Sequence, residues 1–171
     1  MPKSIAYIAA ACGLLLLGLT VSEAKAVLPV PSGPVLLSIT GKIAETNGEG
    51  RAEFDRQMLE AMGTVRLRTW TPWTDRVVEF EGVPAARLLD AVGATGTVLL
   101  ALARNEYSVE IPVELVRRYP VILAMSMDGE RLRLRDKGPL WVVMPWSDHP
   151  ELDSQESRYW SVWQLRSIDV R

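Results

Sequence analysis

The chain has 171 residues, 48% of them hydrophobic and 23% charged, the composition of a packed globular protein rather than a disordered one. Lys and Arg total 19 against 21 Asp and Glu, a net charge of -2, so no cationic excess exists to neutralise a nucleic-acid backbone and nucleic acid is excluded as a partner. The single cysteine, Cys12, excludes an intrachain disulfide and any zinc cluster built on several thiolates.

Lys3 supplies a positive start, residues 5–21 run without a charge through Leu14-Leu15-Leu16-Leu17, and Ala24-Lys25-Ala26 has the small-x-small pattern of a signal peptidase site. Residues 1–26 are therefore expected to be a cleaved secretory signal, and residues 27–171 a periplasmic domain with no stable membrane insertion. An uncleaved anchor is the other reading, because the apolar run falls just short of the roughly 20 residues that span a bilayer. Cys12 precedes the leucines instead of following them, the reverse of a lipid-attachment site.

In the exported part, Pro29, Pro31 and Pro34 make a stiff entry to a first strand over 35–40. Asn47-Gly48-Glu49-Gly50 is a loop. Phe54, Met58, Ala61 and Met62 recur at helical spacing before Gly63, where a C-terminal cap belongs. The period then becomes two. Val65, Leu67 and Thr69 alternate with Arg66, Arg68 and Trp70 on a strand that ends at Pro72. A short strand over 77–80 precedes a helix opened by Pro84, striped by Leu88, Leu89 and Val92, and closed by Gly93.

Further strands are expected over 98–103 and 107–111, then a short helix from Pro112 to Tyr119 and a strand over 121–127. Asp128-Gly129 joins that strand to a partner at 131–135, as Asp-Gly does in tight hairpins. Gly138-Pro139 leads into an apolar strand over 140–144, a polar loop covers 147–158, and a closing strand covers 160–170. Many short strands with about three short helices between them give a mixed α+β fold. No Gly-rich turn links a strand to a helix with phosphate-binding spacing.

Three constellations are candidates for chemistry. The only histidine, His149, lies in a loop with Asp148, Glu151 and Asp153, but that spacing matches no structural zinc or calcium pattern, and Ser147 and Ser161 lack a nucleophile turn. Arg131, Arg133 and Arg135 would share one face of a strand at intervals of about 6.6–6.8 Å. With Arg66 and Arg68, and bordered by Arg104, Lys137 and Gly138-Pro139, they would make an anion site; the competing reading is a solvated face paired with carboxylates. Thr69-Trp70-Thr71-Pro72-Trp73-Thr74 places two indoles at a strand end, where they would wall a pocket for a flat ring unless they pack inward.

The segment Phe80-Glu81-Gly82-Val83-Pro84-Ala85-Ala86-Arg87-Leu88-Leu89-Asp90-Ala91-Val92-Gly93 resembles the G-V-x-L-x-x-L-L-x-x-x-G stretch of the sulfite-oxidase-type molybdopterin-binding domain. Asn105-Glu106-Tyr107-Ser108 is similar to that family's D-G-Y-S strand, residues 121–136 to its hairpin, Lys137-Gly138-Pro139-Leu140 to its G-x-P-L-R strand start, and residues 160–170 to its closing strand. The resemblance implies the family's α+β fold and export. It also implies a molybdopterin cofactor whose metal is held by one cysteine, from the strand end before the G-V-x-L helix. That region here is 69–71, which carries no sulfur, and the family's basic anchoring segment is reduced to Asp75-Arg76. A hydroxyl or an indole is no substitute for a soft thiolate donor.

The expectation is thus a non-catalytic binding module for a small planar or anionic ligand, or for a periplasmic or membrane partner protein. Its ligand residues would be Thr69, Trp70, Thr71, Trp73, Arg104, Asn105, Tyr107, Arg131, Arg133, Arg135 and Lys137, with no catalytic residue and no metal ligand. Two alternatives stand beside it: a molybdopterin oxidoreductase whose metal lacks a protein thiolate, and a structural module without a cleft.

Overall fold

The computed structural model describes residues 28–171, so the expected signal over 1–26 and Cys12 lie outside the described residues. The first and last strands pair with each other. Strand β1 (Leu37–Gly41) buries Leu37 and Ile39, β10 (Leu165–Val170) buries Leu165, Ile168 and Val170, and the two run parallel with Ile39 opposite Ile168. Strand β2 (Ala52–Phe54) adds antiparallel to β1; β5 (Val98–Ala103) and β6 (Ser108–Pro112) extend the other side. The order of this sheet is β2-β1-β10-β5-β6.

A second sheet is antiparallel throughout: β3 (Val65–Thr69), β4 (Val78–Pro84), β7 (Ile122–Met127) and β8 (Glu130–Arg131), with β9 (Trp141–Val143) also on β7. The alternation expected in β3 holds from Arg66 onward, with Leu67 and Thr69 buried and Arg66 and Arg68 exposed, whereas Val65, at the strand's start, is exposed. Register slips between Glu81 and Gly82, and a side chain at Gly82 would overlap the Leu123 carbonyl, so the β4–β7 approach needs a glycine there. The hairpin at Asp128-Gly129 forms with both residues at positive φ, 51° and 79°. An isolated bridge between Trp141 and Trp163 links β9 to the approach of β10, so the two sheets share a tryptophan-lined seam.

Helices α1 (Arg56–Ala61), α2 (Ala85–Ala91), α3 (Val113–Arg118) and α4 (Gln155–Trp160) complete an α+β fold, with 3-10 turns at Leu134–Asp136 and Pro150–Leu152. Among the described residues no helix is long and apolar enough to cross a membrane. The core is continuous, with Phe54, Phe80, Leu88, Leu89, Trp141 and Trp146 each at most 1% exposed.

Several boundaries depart from the sequence reading. Phe54 belongs to β2 rather than to a helical stripe, because the Asp55 carboxylate accepts the Met58 N–H at 2.9 Å and starts α1 one residue later. Pro84 and Pro112 end strands and cap the helices that follow them; their ψ values of 125° and 130° are extended, not helical. The expected strand over 131–135 stops after Arg131. Leu132 is buried but Leu134 is 54% exposed, so the alternation that a half-buried strand needs is broken, and the Asp136 and Gly138 N–H groups both bond the Arg133 carbonyl to make a turn. The polar loop over 147–158 contains α4, started by a reciprocal Ser154–Ser157 capping box, and Trp160 ends that helix instead of opening β10.

Candidate ligand cleft

The strand end at 69–71 is sealed by its own hydroxyls. The Thr69 hydroxyl donates to the Trp70 carbonyl and accepts the Ser147 N–H, each at 3.0 Å, while the Trp70 N–H donates to Ser147 Oγ at 3.0 Å. Thr71 Oγ1 accepts the Trp73 N–H at 3.2 Å and donates to Thr74 Oγ1 at 3.3 Å, and Thr74 N–H returns to the Thr71 carbonyl. Thr69 and Thr71 are buried, and no buried side-chain polar atom of the described residues lacks a partner. These hydroxyls hold the turn in shape and offer nothing to an incoming group.

The turn delivers Trp73 into a cluster of indoles. Its ring meets Trp163, Trp141 and Trp146 edge-on, with centroids 5.1, 6.0 and 6.3 Å away, and Trp70 lies tilted 6.1 Å from Trp146. Trp141 and Trp146 are the buried members of the cluster. Trp141 Nε1 donates to Ser161 Oγ at 2.9 Å, which donates to the Val142 carbonyl at 2.7 Å. Trp146 Nε1 reaches the Leu152 carbonyl and Ser157 Oγ, both at 3.1 Å. Lys137 sets its ammonium 5.5 Å from the Trp141 ring and 5.7 Å from the Trp163 ring.

Beside this cluster opens a cleft of about 280 Å³, lined by Trp73, Asn105, Tyr107, Arg158, Tyr159, Ser161, Val162 and Trp163. The hairpin between β5 and β6 supplies Asn105 and Tyr107; α4 supplies Arg158 and Tyr159. The Tyr107 hydroxyl donates to the Tyr159 carbonyl at 2.9 Å and ties the two sides together. Burial, and then the neighbouring Tyr159, push the Tyr107 phenol above its ordinary pKa, so it stays neutral and keeps donating at physiological pH.

Of the expected ligand residues, the fold brings Trp73, Asn105 and Tyr107 into this cleft and lays Lys137 over one of its walls. Thr69 and Thr71 are buried supports, and Trp70 packs on Trp146 outside the lining. Arg104 is exposed on the adjoining turn and makes no ion pair among the described residues. The arginine face does not exist. Arg133 and Arg135 both pair with Asp136, at 2.8 and 3.8 Å, and Arg131 lines a separate polar groove with Arg56, Glu60 and Glu81. Arg66 pairs with Glu79 and Glu81, and β4 and β7 lie between β3 and β8, so the two arginine sets do not adjoin. His149 sits 3.2 Å from Glu151 and edge-on to Tyr119; among the described residues no cluster of His, Cys, Asp or Glu has metal-binding geometry.

Sequence reasoning missed Arg158 and Tyr159 because α4 lies in a stretch too polar to show an apolar stripe. Its one local signal was Ser154 three residues before Ser157, a capping box with serine in place of the usual glutamate.

The family model of the oxidoreductase molybdopterin binding domain matches residues 44–147, more than half of the chain, and the chain belongs to that family. Among solved structures it is similar to the sulfane dehydrogenase SoxCD from Paracoccus pantotrophus, with a TM-score of 0.56 and 21% identity. The match covers 78% of this chain and 37% of that one, and at this identity it establishes the shared fold. No curated protein sequence matches this chain.

Family membership raises molybdopterin as the cofactor. The donor set at 69–71, where the resemblance implies the metal-binding cysteine, does not fit a thiolate-held metal. It consists of two threonine hydroxyls consumed by Trp70, Trp73, Thr74 and Ser147, and the chain's one sulfhydryl is Cys12.

Proposed function

We propose that this chain is an exported, non-catalytic binding module built on the molybdopterin-binding fold, with the cleft at Trp73, Asn105, Tyr107, Tyr159 and Trp163 as its ligand site. The observation that carries this reading is the closed turn at 69–71. The family's chemistry needs a soft, electron-donating protein ligand there, and this turn instead uses both of its buried hydroxyls to brace the backbone. A few angstroms of chain later, Trp73 enters an aromatic wall beside an open cleft, an arrangement suited to holding a small molecule. A periplasmic location accords with the composition of residues 1–26 and with the absence of cysteine after them.

The rival reading, a molybdopterin oxidoreductase without a protein thiolate, draws its support from family membership alone. Elemental analysis and pterin fluorescence on protein purified from its own host separate the two. The expected result is molybdenum far below one atom per chain and no pterin emission. Stoichiometric molybdenum refutes the non-catalytic reading.

A further inference from the structure

We propose that the cleft takes a small aromatic anion, a ring system bearing a carboxylate. This rests on reading the cleft as a ligand site and adds the chemical class of what it holds. Its size comes first. A volume of about 280 Å³ lies just below the roughly 300–1,000 Å³ range of small-molecule pockets, room for one or two rings and not for a dinucleotide-sized cofactor. Its walls come second. Trp73 and Trp163 stand nearly perpendicular, at 84°, and Tyr107 and Tyr159 complete an aromatic enclosure that suits a flat ring by stacking and edge contacts.

The polar complement then selects the charge. Among the described residues the indole N–H groups of Trp73 and Trp163 meet no acceptor, whereas those of the buried Trp141 and Trp146 are both satisfied. Asn105 uses its carbonyl oxygen to accept the Tyr107 N–H and leaves its NH₂ free. Arg158 spends one N–H on Asp153, at 2.9 Å, and has four more. The unspent groups are thus predominantly donors, which match a ligand rich in acceptors. The nearby carboxylates are already engaged: Asp153 by Arg158, and Glu106 by Arg166 at 3.1 Å. Beside the cleft, Arg104 on the adjoining turn and Lys137 over the Trp163 ring meet no carboxylate among the described residues. An uncharged ring would satisfy the donors but leave those cations unused, and a cationic ring would be repelled.

The test is a calorimetric and tryptophan-fluorescence titration of the protein with benzoate, benzamide and benzylammonium, which share a ring and differ in charge. Benzoate is expected to bind and shift the emission, benzamide to bind about tenfold more weakly for want of a charge-assisted hydrogen bond, and benzylammonium not to bind. Arg158→Met should weaken benzoate about tenfold and benzamide much less. Arg104→Gln, on an exposed turn, gives the same comparison should Arg158→Met fail to fold. No benzoate binding, equal binding of all three probes, or preference for benzylammonium overturns the assignment. If the protein instead releases a non-aromatic or cationic small molecule on denaturation, the ligand class is wrong while the cleft's binding role stands. Molybdenum content bears on the non-catalytic reading independently of this titration.

Discussion

The aromatic cluster behind the cleft hangs on one serine. Ser161 is 3% exposed and accepts from the indole of Trp141, which is 1% exposed, while donating to the Val142 carbonyl. In Ser161→Ala the buried indole N–H loses its acceptor, a penalty of about 1–3 kcal/mol; the carbonyl, with a second lone pair, adds less. The expected loss is about 2–3 kcal/mol, measured as the change in urea midpoint at constant m-value. A double-mutant cycle isolates the cause. In a Trp141→Phe background no indole donor remains to be stranded, so Ser161→Ala should cost about 1–2 kcal/mol less than in the parent. Because Trp141 also braces Trp73 at 6.0 Å, the single variant should blunt the fluorescence response to ligand as well. A single-variant loss below about 0.5 kcal/mol, or strictly additive losses in the cycle, refutes the argument that this hydrogen bond holds the aromatic cluster.

Two further predictions concern how the fold that carries the cleft is held. The Asp55 carboxyl accepts backbone N–H bonds from Met58, Gly33 and Ser32, which hold it below the ordinary carboxylate range. A depressed folded-state pKa stabilises the folded protein fully above the unfolded value of about 3.9, and that contribution is lost as pH falls through the folded value. Asp55→Asn should therefore lower the melting temperature at neutral pH and flatten the acid limb below about pH 4; an acid limb as steep as the parent's would count against the assignment. At the β4–β7 register slip, Gly82→Val forces a side chain into the Leu123 carbonyl and should cost about 3 kcal/mol by denaturant unfolding, with a loss near zero contradicting the close approach.

Much of this protein is local in origin and was legible without coordinates. Period-two patterning placed β3, further strands were expected where β5 and β7 lie, the Asp128-Gly129 turn set its hairpin, and the composition and ordered segments pointed to an α+β fold of the molybdopterin-binding kind. The missing sulfur at 69–71 is likewise a fact of sequence. What failed were inferences that needed a neighbour. Arg131, Arg133 and Arg135 alternate as a strand would, but whether a segment pairs is decided by its partner; β7 accepts only Glu130 and Arg131 before Leu132 turns into the core. Helix α4 had no apolar stripe to announce it, since its six residues are fixed by a cap and by burial of Ser157 under Trp146.

The cleft itself belongs wholly to the tertiary level. Trp73, Asn105, Tyr107, Arg158 and Trp163 are scattered over ninety positions of chain, and no spacing rule joins them. They meet because β10 returns to pair with both β1 and β5, drawing the segment after α4 against the β5–β6 hairpin. Residue type and short-range hydrogen bonding settle which chemistry the strand end can support; long-range pairing, paid for in chain entropy, settles which side chains face one another across empty space.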